Sequence, residues 1–454
     1  MATSGSKRPV GRVLAALDEL DLRALSRSLS DDLCERKVTF GSDDGGNVEA
    51  FVVDPVPRVI ERDEWADLAA GLAQRAEALE RFVADVYGER LIVAAGRVPW
   101  TAIETAEFFE PRMAQLPPAS GRWIPIAGLD VVRDGDGPFA VLEDNVRTPS
   151  GIAYAMAARD ALSGHLSVPD GMHVRSLEPA YDWLGESLRA AAPPEAGERP
   201  AVVVLTDGPS NSAYYEHGEI ARRLGLPLVL LGDLSVRSKR LFARTEKGTV
   251  AVDVVYRRSN EDRLFDHRGS PTALGELLLG PLEAQTLACV NAFGTGVADD
   301  KLVHSYVEEM VRFYLGEEPL LKSVPTYDPS QPGVLAMVQE RIGELVVKPR
   351  GGHGGIGVIV GPRSDRQTLA EVSRELETSP ERFVVQETVQ LSRQPTVCGD
   401  QLEPRHVDLR PFTFATGDRI EVFPGGLTRV ALERGSLVVN SSQQGGAKDT
   451  WVLA

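Results

Sequence analysis

Residues 346–361 read VVKPRGGHGGIGVIVG, and how this stretch is read decides the fold. Its GHGGIG core (352–357) satisfies G-x-G-x-x-G, a pattern shared by several phosphate-binding loops. A dinucleotide-binding turn of that pattern runs from a strand into a helix. Here one apolar strand-like run, ELVVKP (344–349), leads in, and a second, GVIVG (357–361), leads out. The stretch therefore reads as a glycine-rich flap between antiparallel strands. Glycines let backbone N–H groups approach phosphate oxygens with no Cβ in the way. No Gly-Lys-Ser/Thr follows, so the loop is not of the Walker type. Lys348, on the entering strand, is placed to touch phosphates as a point charge. A plain glycine hairpin with a surface lysine is the alternative. Beyond the flap, an amphipathic helix pattern (364–383) leads to VVQETV (384–389). That strand carries Gln386 and Glu387 and fits either an adenine-binding hinge or an ordinary edge strand.

A second constellation lies far upstream, in VLEDNVRTPSG (141–151). The preceding DGDGP (134–138) flanked by apolar runs is a hairpin signature. Folding that hairpin sets Asp130 about level with Leu142 and Glu143, which brings Asp130 and Glu143 close together. Period-two alternation puts Glu143 and Asn145 on one face. Two carboxylates and a carboxamide oxygen suit Mg²⁺, which takes hard oxygen ligands. Asp134 and Asp144 are expected to be surface acids closing the hairpin. Arg410, Arg429 and Lys448 lie in the C-terminal strand region, and Lys301 at an expected helix start. Phosphoryl transfer depends on such cations for charge neutralisation; each also fits a solvated charge or an ion pair.

The rest of the chain supplies a frame. With 454 residues, length suggests about three domains. One short amphipathic helix is expected within 13–29, and a long one over 62–87, with Trp65, Leu68, Leu72, Ala76, Leu79 and Val83 as its core stripe. RAAAPPEAGERP (189–200) reads as a linker. Residues 201–231 read as strand, polar loop, helix, strand, a βαβ unit, and a second unit is expected before 315. From 343 onward short strands dominate, including SLVVN (436–440). A formal net charge of −17 argues against nucleic acid or an anionic membrane as main partner. Three scattered cysteines, Cys34, Cys289 and Cys398, fit a reducing cytoplasm, and no leader or membrane-spanning run is expected.

These motifs together resemble the circularly permuted ATP-grasp proteins, which are related to ligases such as glutathionylspermidine synthetase and glutathione synthetase. The resemblance runs from DPVPRVI (54–60) to KDTWVL (448–453) and includes NSAYYEHGEIARRLG, GVADDK, PRHVDLRPF and PGGLTRVAL. It accounts for the order of the motifs: in permuted chains the metal segment precedes the flap. It implies an α+β fold of the permuted ATP-grasp type with a Rossmann-like α/β pre-grasp domain. The implied segments are a helical extension (1–50), the segment with the Mg²⁺ ligands (51–198), the pre-grasp domain (199–330) and the nucleotide-binding segment (331–454). It implies Asp130, Glu143 and Asn145 as Mg²⁺ ligands and Lys301 and Lys348 as nucleotide lysines. Gly352, His353, Gly354, Gly355 and Gly357 would form the flap, and Gln386, Glu387 and Val389 the hinge. Arg410 and Arg429 would face the phosphates, with Lys448 and Arg147 as further catalytic candidates. His353 and the SSQQGG run (441–446) depart from the family pattern. The expected activity is ATP-dependent joining of a small-molecule or peptide carboxylate to an amine through an acyl phosphate, using ATP and Mg²⁺. Residues 147–151 and 211–217, with Tyr214, Glu216 and His217, are substrate candidates or a structural loop. The family context also implies an α-helical or transglutaminase-like partner protein. A kinase-like phosphotransferase and a non-catalytic nucleotide-binding module are the alternatives; the absence of H-R-D and D-F-G motifs argues against a protein kinase.

Overall fold

The computed structural model describes residues 9–41, 48–351, 357–436 and 445–454. Instead of one N-terminal helix there are two, Pro9–Leu17 and Leu22–Glu35. The break falls at Asp21, whose side chain accepts from the Ala24 N–H and caps the second helix. Val13, Leu17, Leu25, Leu29 and Leu33 from these helices are buried in one of the two large apolar cores. Strands β1 (Thr39–Gly41) and β2 (Val48–Ala50) form a small antiparallel hairpin after them. Next come β3 (Val53–Ile60) and the 25-residue helix Arg62–Val86, whose expected apolar stripe is buried throughout. Strands β4 (Ile126–Arg133) and β5 (Phe139–Asn145) follow, turning at Gly135 with φ +56°.

The middle of the chain builds a separate parallel sheet. Its strands are β6 (Val202–Thr206), β7 (Leu228–Val229), β11 (Val254–Arg258) and β12 (Ala288–Val290). All neighbours are parallel, in the order β12-β11-β6-β7. Taken in chain order this is 2-1-3-4, so the connections diverge between β6 and β11. An antiparallel trio, β8 (Leu234–Arg237), β9 (Arg240–Thr245) and β10 (Gly248–Val252), interrupts the series.

The remaining strands make two further sheets. Short β13 (Lys322–Ser323) pairs with β5, whereas β14 (Thr326–Tyr327) belongs to a four-stranded antiparallel sheet. Val324 and Pro325 thus carry the chain from one sheet to the other. The smaller sheet has the order β14-β17-β15-β16, with β15 (Leu345–Pro349), β16 (Ile359–Val360) and β17 (Phe383–Glu387). Helices Val334–Arg341 and Arg366–Thr378 share its core with Val338, Leu345, Val347, Val372, Leu376 and Val385. The lobe is also fastened by Arg350, which bonds Asp300 at 2.7 Å and 2.9 Å and Thr105 at 2.6 Å.

After β17 the chain returns to the large sheet as β18 (Arg393–Cys398), β19 (Gln401–Arg410), β20 (Phe412–Thr416), β21 (Arg419–Val422), β22 (Leu427–Val430) and β23 (Gly446–Val452). The ten-stranded sheet therefore joins β3, β4 and β5 to the C-terminal strands, in the main order β13-β5-β4-β19-β22-β23-β3. The strand expected at 436–440 lies outside the described residues apart from Ser436. No helix of the described residues is long and apolar enough to cross a membrane.

Candidate active site

In the hairpin Asp130 pairs with Glu143 and Gly128 with Asn145, through a one-residue register shift between Asp130 and Val131 that leaves Leu142 without a paired residue. Alternation sends Asp144 to the opposite side. The expectation that Asp144 is a surface acid is corrected here. It is 2% exposed and bonds Arg75 at 2.7 Å and 2.8 Å and His304 at 2.6 Å. Burial would raise its carboxyl, but the Arg75 and His304 contacts outweigh that and hold it well below the ordinary range.

Asp130 sits in a charged lattice. Arg410 donates to its two oxygens at 2.5 Å and 2.8 Å, and Arg429 adds a bond at 2.7 Å. Burial opposes ionisation, yet the two guanidinium groups bring Asp130 down to about 2. Arg429 also clasps Asp408, with one bond at 2.8 Å. Arg410 reaches the Ser150 carbonyl at 3.2 Å and so ties the 147–151 loop to the sheet. Sequence reasoning missed Asp408, although it lies two residues before Arg410 on the same strand face.

Glu143 is one-third exposed, and the Lys301 ammonium lies 3.7 Å away. Lys301 occupies the turn just before the short 3-10 helix Val303–Tyr306. The Asn145 side-chain nitrogen is buried with no hydrogen-bond partner. Among the described residues no group of three or more His, Cys, Asp or Glu is arranged to hold a metal. The Asp130, Glu143 and Asn145 set differs in including an amide. Its two carboxylates and its carboxamide oxygen fit Mg²⁺ by donor chemistry; the unpartnered Asn145 atom is the side-chain nitrogen, a donor that binds no cation. Each carboxylate oxygen has two lone pairs, so Asp130 can accept from arginine and still face a cation.

Lys348 projects from β15 opposite this set and donates to the Gln386 side-chain oxygen at 2.5 Å. Burial lowers the lysine to about 8, while Glu143 pulls it up and Lys301 pushes it down. The Gln386 amide nitrogen donates to Thr326 at 2.9 Å and to the Leu142 carbonyl at 3.3 Å, bridging the two sheets. The Glu387 carboxylate is engaged with Arg341, at 2.9 Å twice, and with the Tyr327 hydroxyl at 2.7 Å. What the hinge offers a ligand is therefore the backbone and apolar surface around Thr388 and Val389, both of which line the cavity. Gly357 has φ +73°, and a Cβ there would lie 2.9 Å from the Pro349 ring, so only glycine fits that base of the flap. Gly352, His353, Gly354 and Gly355 lie outside the described residues.

Arg147 bonds Asp299 at 2.6 Å and Asp262 at 2.7 Å, with its guanidinium 3.8 Å from the Phe108 ring centroid. Lys448 sits elsewhere. It is 1% exposed, absent from the cavity lining, and held by Asp54 and by the carbonyls of Val56 at 3.1 Å and Pro395 at 2.9 Å. The structure thus places it as a core ion pair behind the sheet. Glu216 also serves the fold: it accepts from the Gly151 and Ala153 N–H groups and from Arg258, fixing the start of helix Ile152–Ser163. His217 bonds Thr206 at 2.9 Å, and burial, then Arg258, lowers it to about 2, so its ring is neutral.

One cavity of about 680 Å³ collects these groups. The small sheet gives Lys348 and Gln386, the segment leaving it Val389, the large sheet Asp130, Glu143, Asn145, Arg410 and Arg429, and the parallel sheet its loops around Asn211 and Asn260.

The family model for circularly permuted ATP-grasp type 2 matches residues 57–431. An uncharacterised Synechocystis protein is 45% identical over 418 residues, covering 91% of this chain and 86% of its own. An uncharacterised Mycobacterium tuberculosis protein is 40% identical, covering 97% and 80% respectively. A Frankia alni protein bearing the name "Putative glutamate--cysteine ligase 2-3" is 43% identical over 98% of this chain, which spans only 52% of that longer protein. Among solved structures, the apo form of a glutathione synthetase-like effector (GSS30) from Globodera pallida superposes with a TM-score of 0.59 at 12% identity, covering 95% of this chain and 98% of that one. At that identity the likeness shows the fold alone.

Proposed function

The chain belongs to the circularly permuted ATP-grasp type 2 family, and we propose that it is an ATP-dependent ligase joining a carboxylate to an amine, with release of ADP and phosphate. The observation that carries this reading is the single cavity in which Lys348 faces Asp130, Glu143, Asn145, Arg410 and Arg429. Relatives of Frankia alni and Frankia casuarinae bear a ligase name, and this chain spans about half of each. Their named activity belongs to the longer proteins and supports only the class of reaction here.

The adenine is assigned to the Thr388–Val389 side and the phosphates to Lys348, Lys301 and the flap. Mg²⁺, when bound at Glu143, Asn145 and Asp130, supplies neutralisation of phosphate charge. In the proposed reaction the substrate carboxylate attacks the γ-phosphorus of ATP, the bond to the β-phosphate oxygen breaks, and ADP leaves. The amine nitrogen then attacks the acyl carbon, phosphate departs with the C–O bonding pair, and the nitrogen loses a proton to solvent. Such chemistry needs no protein nucleophile. Orientation and preorganised positive charge suffice, and Arg410 and Arg429 hold fixed positions because Asp130 and Asp408 pin them.

The test is incubation with Mg-ATP, hydroxylamine and a pool of amino acids and short peptides, reading ADP, AMP and acyl hydroxamate. ADP with a hydroxamate supports the reading, and the hydroxamate mass names the acid. AMP instead of ADP would sink the acyl-phosphate route, and ADP without hydroxamate would favour phosphotransfer.

A further inference from the structure

The cavity has a second end, which the bond from Arg410 to the Ser150 carbonyl joins to the phosphate-facing cations. It is lined by residues 148–151, 211–213 and 258–260 together with Phe40, Phe51 and Tyr154. The 211–213 and 258–260 loops follow β6 and β11, the two strands between which the connections of the parallel sheet diverge. Crevices at that point of open α/β sheets are where small ligands bind.

Phe40 and Phe51 come from the β1–β2 hairpin region, which precedes the family-matched residues 57–431. The hairpin is fastened beside the crevice by one side-chain and one backbone hydrogen bond. The Tyr154 hydroxyl donates to the Thr39 carbonyl at 2.9 Å, and the Gly41 N–H donates to the Ser212 carbonyl at 2.9 Å. A Cβ on Gly41 would stand 3.0 Å from the Ser212 Cα, so this close approach depends on glycine. The three rings form one wall, with centroids 4.8 Å apart for Phe51 and Tyr154 and 5.7 Å apart for Phe40 and Tyr154.

Charge at this end is already matched within the chain. Arg258 is bonded to Glu216 and to the Pro149 carbonyl, and Arg147 to Asp262 and Asp299. His217 is neutral. An ionic side chain entering here would shed water without gaining an unmatched counter-charge, whereas an aromatic one would gain ring contacts.

We propose that this end selects a substrate with a neutral aromatic side chain, and that Phe40 and Phe51 set the preference. The inference rests on the ligase reading for what the substrate then undergoes, but not for how it binds.

The experiment measures equilibrium binding of Gly-Phe, Gly-Glu and Gly-Gly to the full chain by calorimetry, without turnover, beside Mg-ATP binding. Gly-Phe is expected to bind about tenfold or more tightly than Gly-Gly, from burial of one ring, and Gly-Glu no better than Gly-Gly. Phe40→Ser, at a partly exposed position, and Phe51→Leu, which keeps bulk, should each shrink that ratio several-fold while leaving the Mg-ATP affinity unchanged. Equal binding of the three dipeptides, binding of none, or a ratio preserved in both folded variants overturns the proposal. Aromatic preference without hydroxamate formation would sink the ligase reading alone; hydroxamate formation without aromatic preference would sink this inference alone.

Discussion

Asp144 and Arg75 are joined by hydrogen bonds of 2.7 Å and 2.8 Å on the far side of the strand from the cavity. Their side chains are 1% and 2% exposed. Removing one partner of such a pair strands a buried charge. Asp144→Asn is therefore expected to cost about 3–5 kcal/mol of stability. Denaturant unfolding measures it, and Mg-ATP affinity of the folded fraction should stay near that of the parent.

Glu143 presents the opposite case, one residue away. Its carboxylate is one-third exposed and its nearest cation is 3.7 Å distant. Glu143→Gln should change stability by less than about 0.5 kcal/mol. ADP formation should fall on the order of 10²-fold or more. An active Glu143→Gln protein would remove this residue from the metal set.

Gln386 bridges Lys348, Thr326 and Leu142 at 2.5 Å, 2.9 Å and 3.3 Å. Gln386→Leu releases the lysine from its fixed position and unties the two sheets. The Mg-ATP dissociation constant should rise about tenfold, the scale of one hydrogen bond to a charged group. Calorimetric titration reads this, and an unchanged constant would show that Lys348 needs no such guide.

Glu110 controls a pH dependence of stability. Burial raises its carboxyl to about 7, against the pull of Arg263 and Arg257, and one carboxylate oxygen is buried without a partner. A group whose folded pKa is raised contributes stability below its unfolded value, and that contribution is lost as pH climbs through the folded value. Glu110→Gln should therefore stabilise the protein by roughly 1–3 kcal/mol at pH 8 and by less at pH 5.5. Thermal midpoints at the two pH values check the sign; equal shifts would remove the titration from the account.

The sequence made some of this visible for physical reasons. Strand alternation puts Glu143 and Asn145 on one face, but the turn alone would set Asp130 level with Leu142, and a one-residue register shift between Asp130 and Val131 brings it opposite Glu143. Apolar spacing from Trp65 to Val83 gave the long helix for the same kind of reason. The fate of individual charges was hidden. Asp144 and Glu143 are adjacent acids, and nothing local tells that one meets Arg75 from 69 residues upstream while the other faces the cavity. Lys448 likewise resembles Arg410 and Arg429 as a cation on a C-terminal strand, but its partner Asp54 comes from the other end of the chain. The N-terminal helices show the limit of periodicity: a single apolar pattern ran through Asp21, and the cap bond decided that it should break.

The short crossing at Val324 and Pro325 has a consequence for inheritance. Thr326 pairs with Gln386, so the chain enters and leaves the small sheet side by side, and that lobe has its own apolar centre. A unit entered and left at one place can be exchanged between related genes without re-threading the strands on either side, provided that ties such as Arg350 to Asp300 and Gln386 to the Leu142 carbonyl are kept. The small-sheet half of the cleft can then change as a cassette, while the lattice of Asp130, Asp408, Arg410 and Arg429 lies wholly in the large sheet and stays in place.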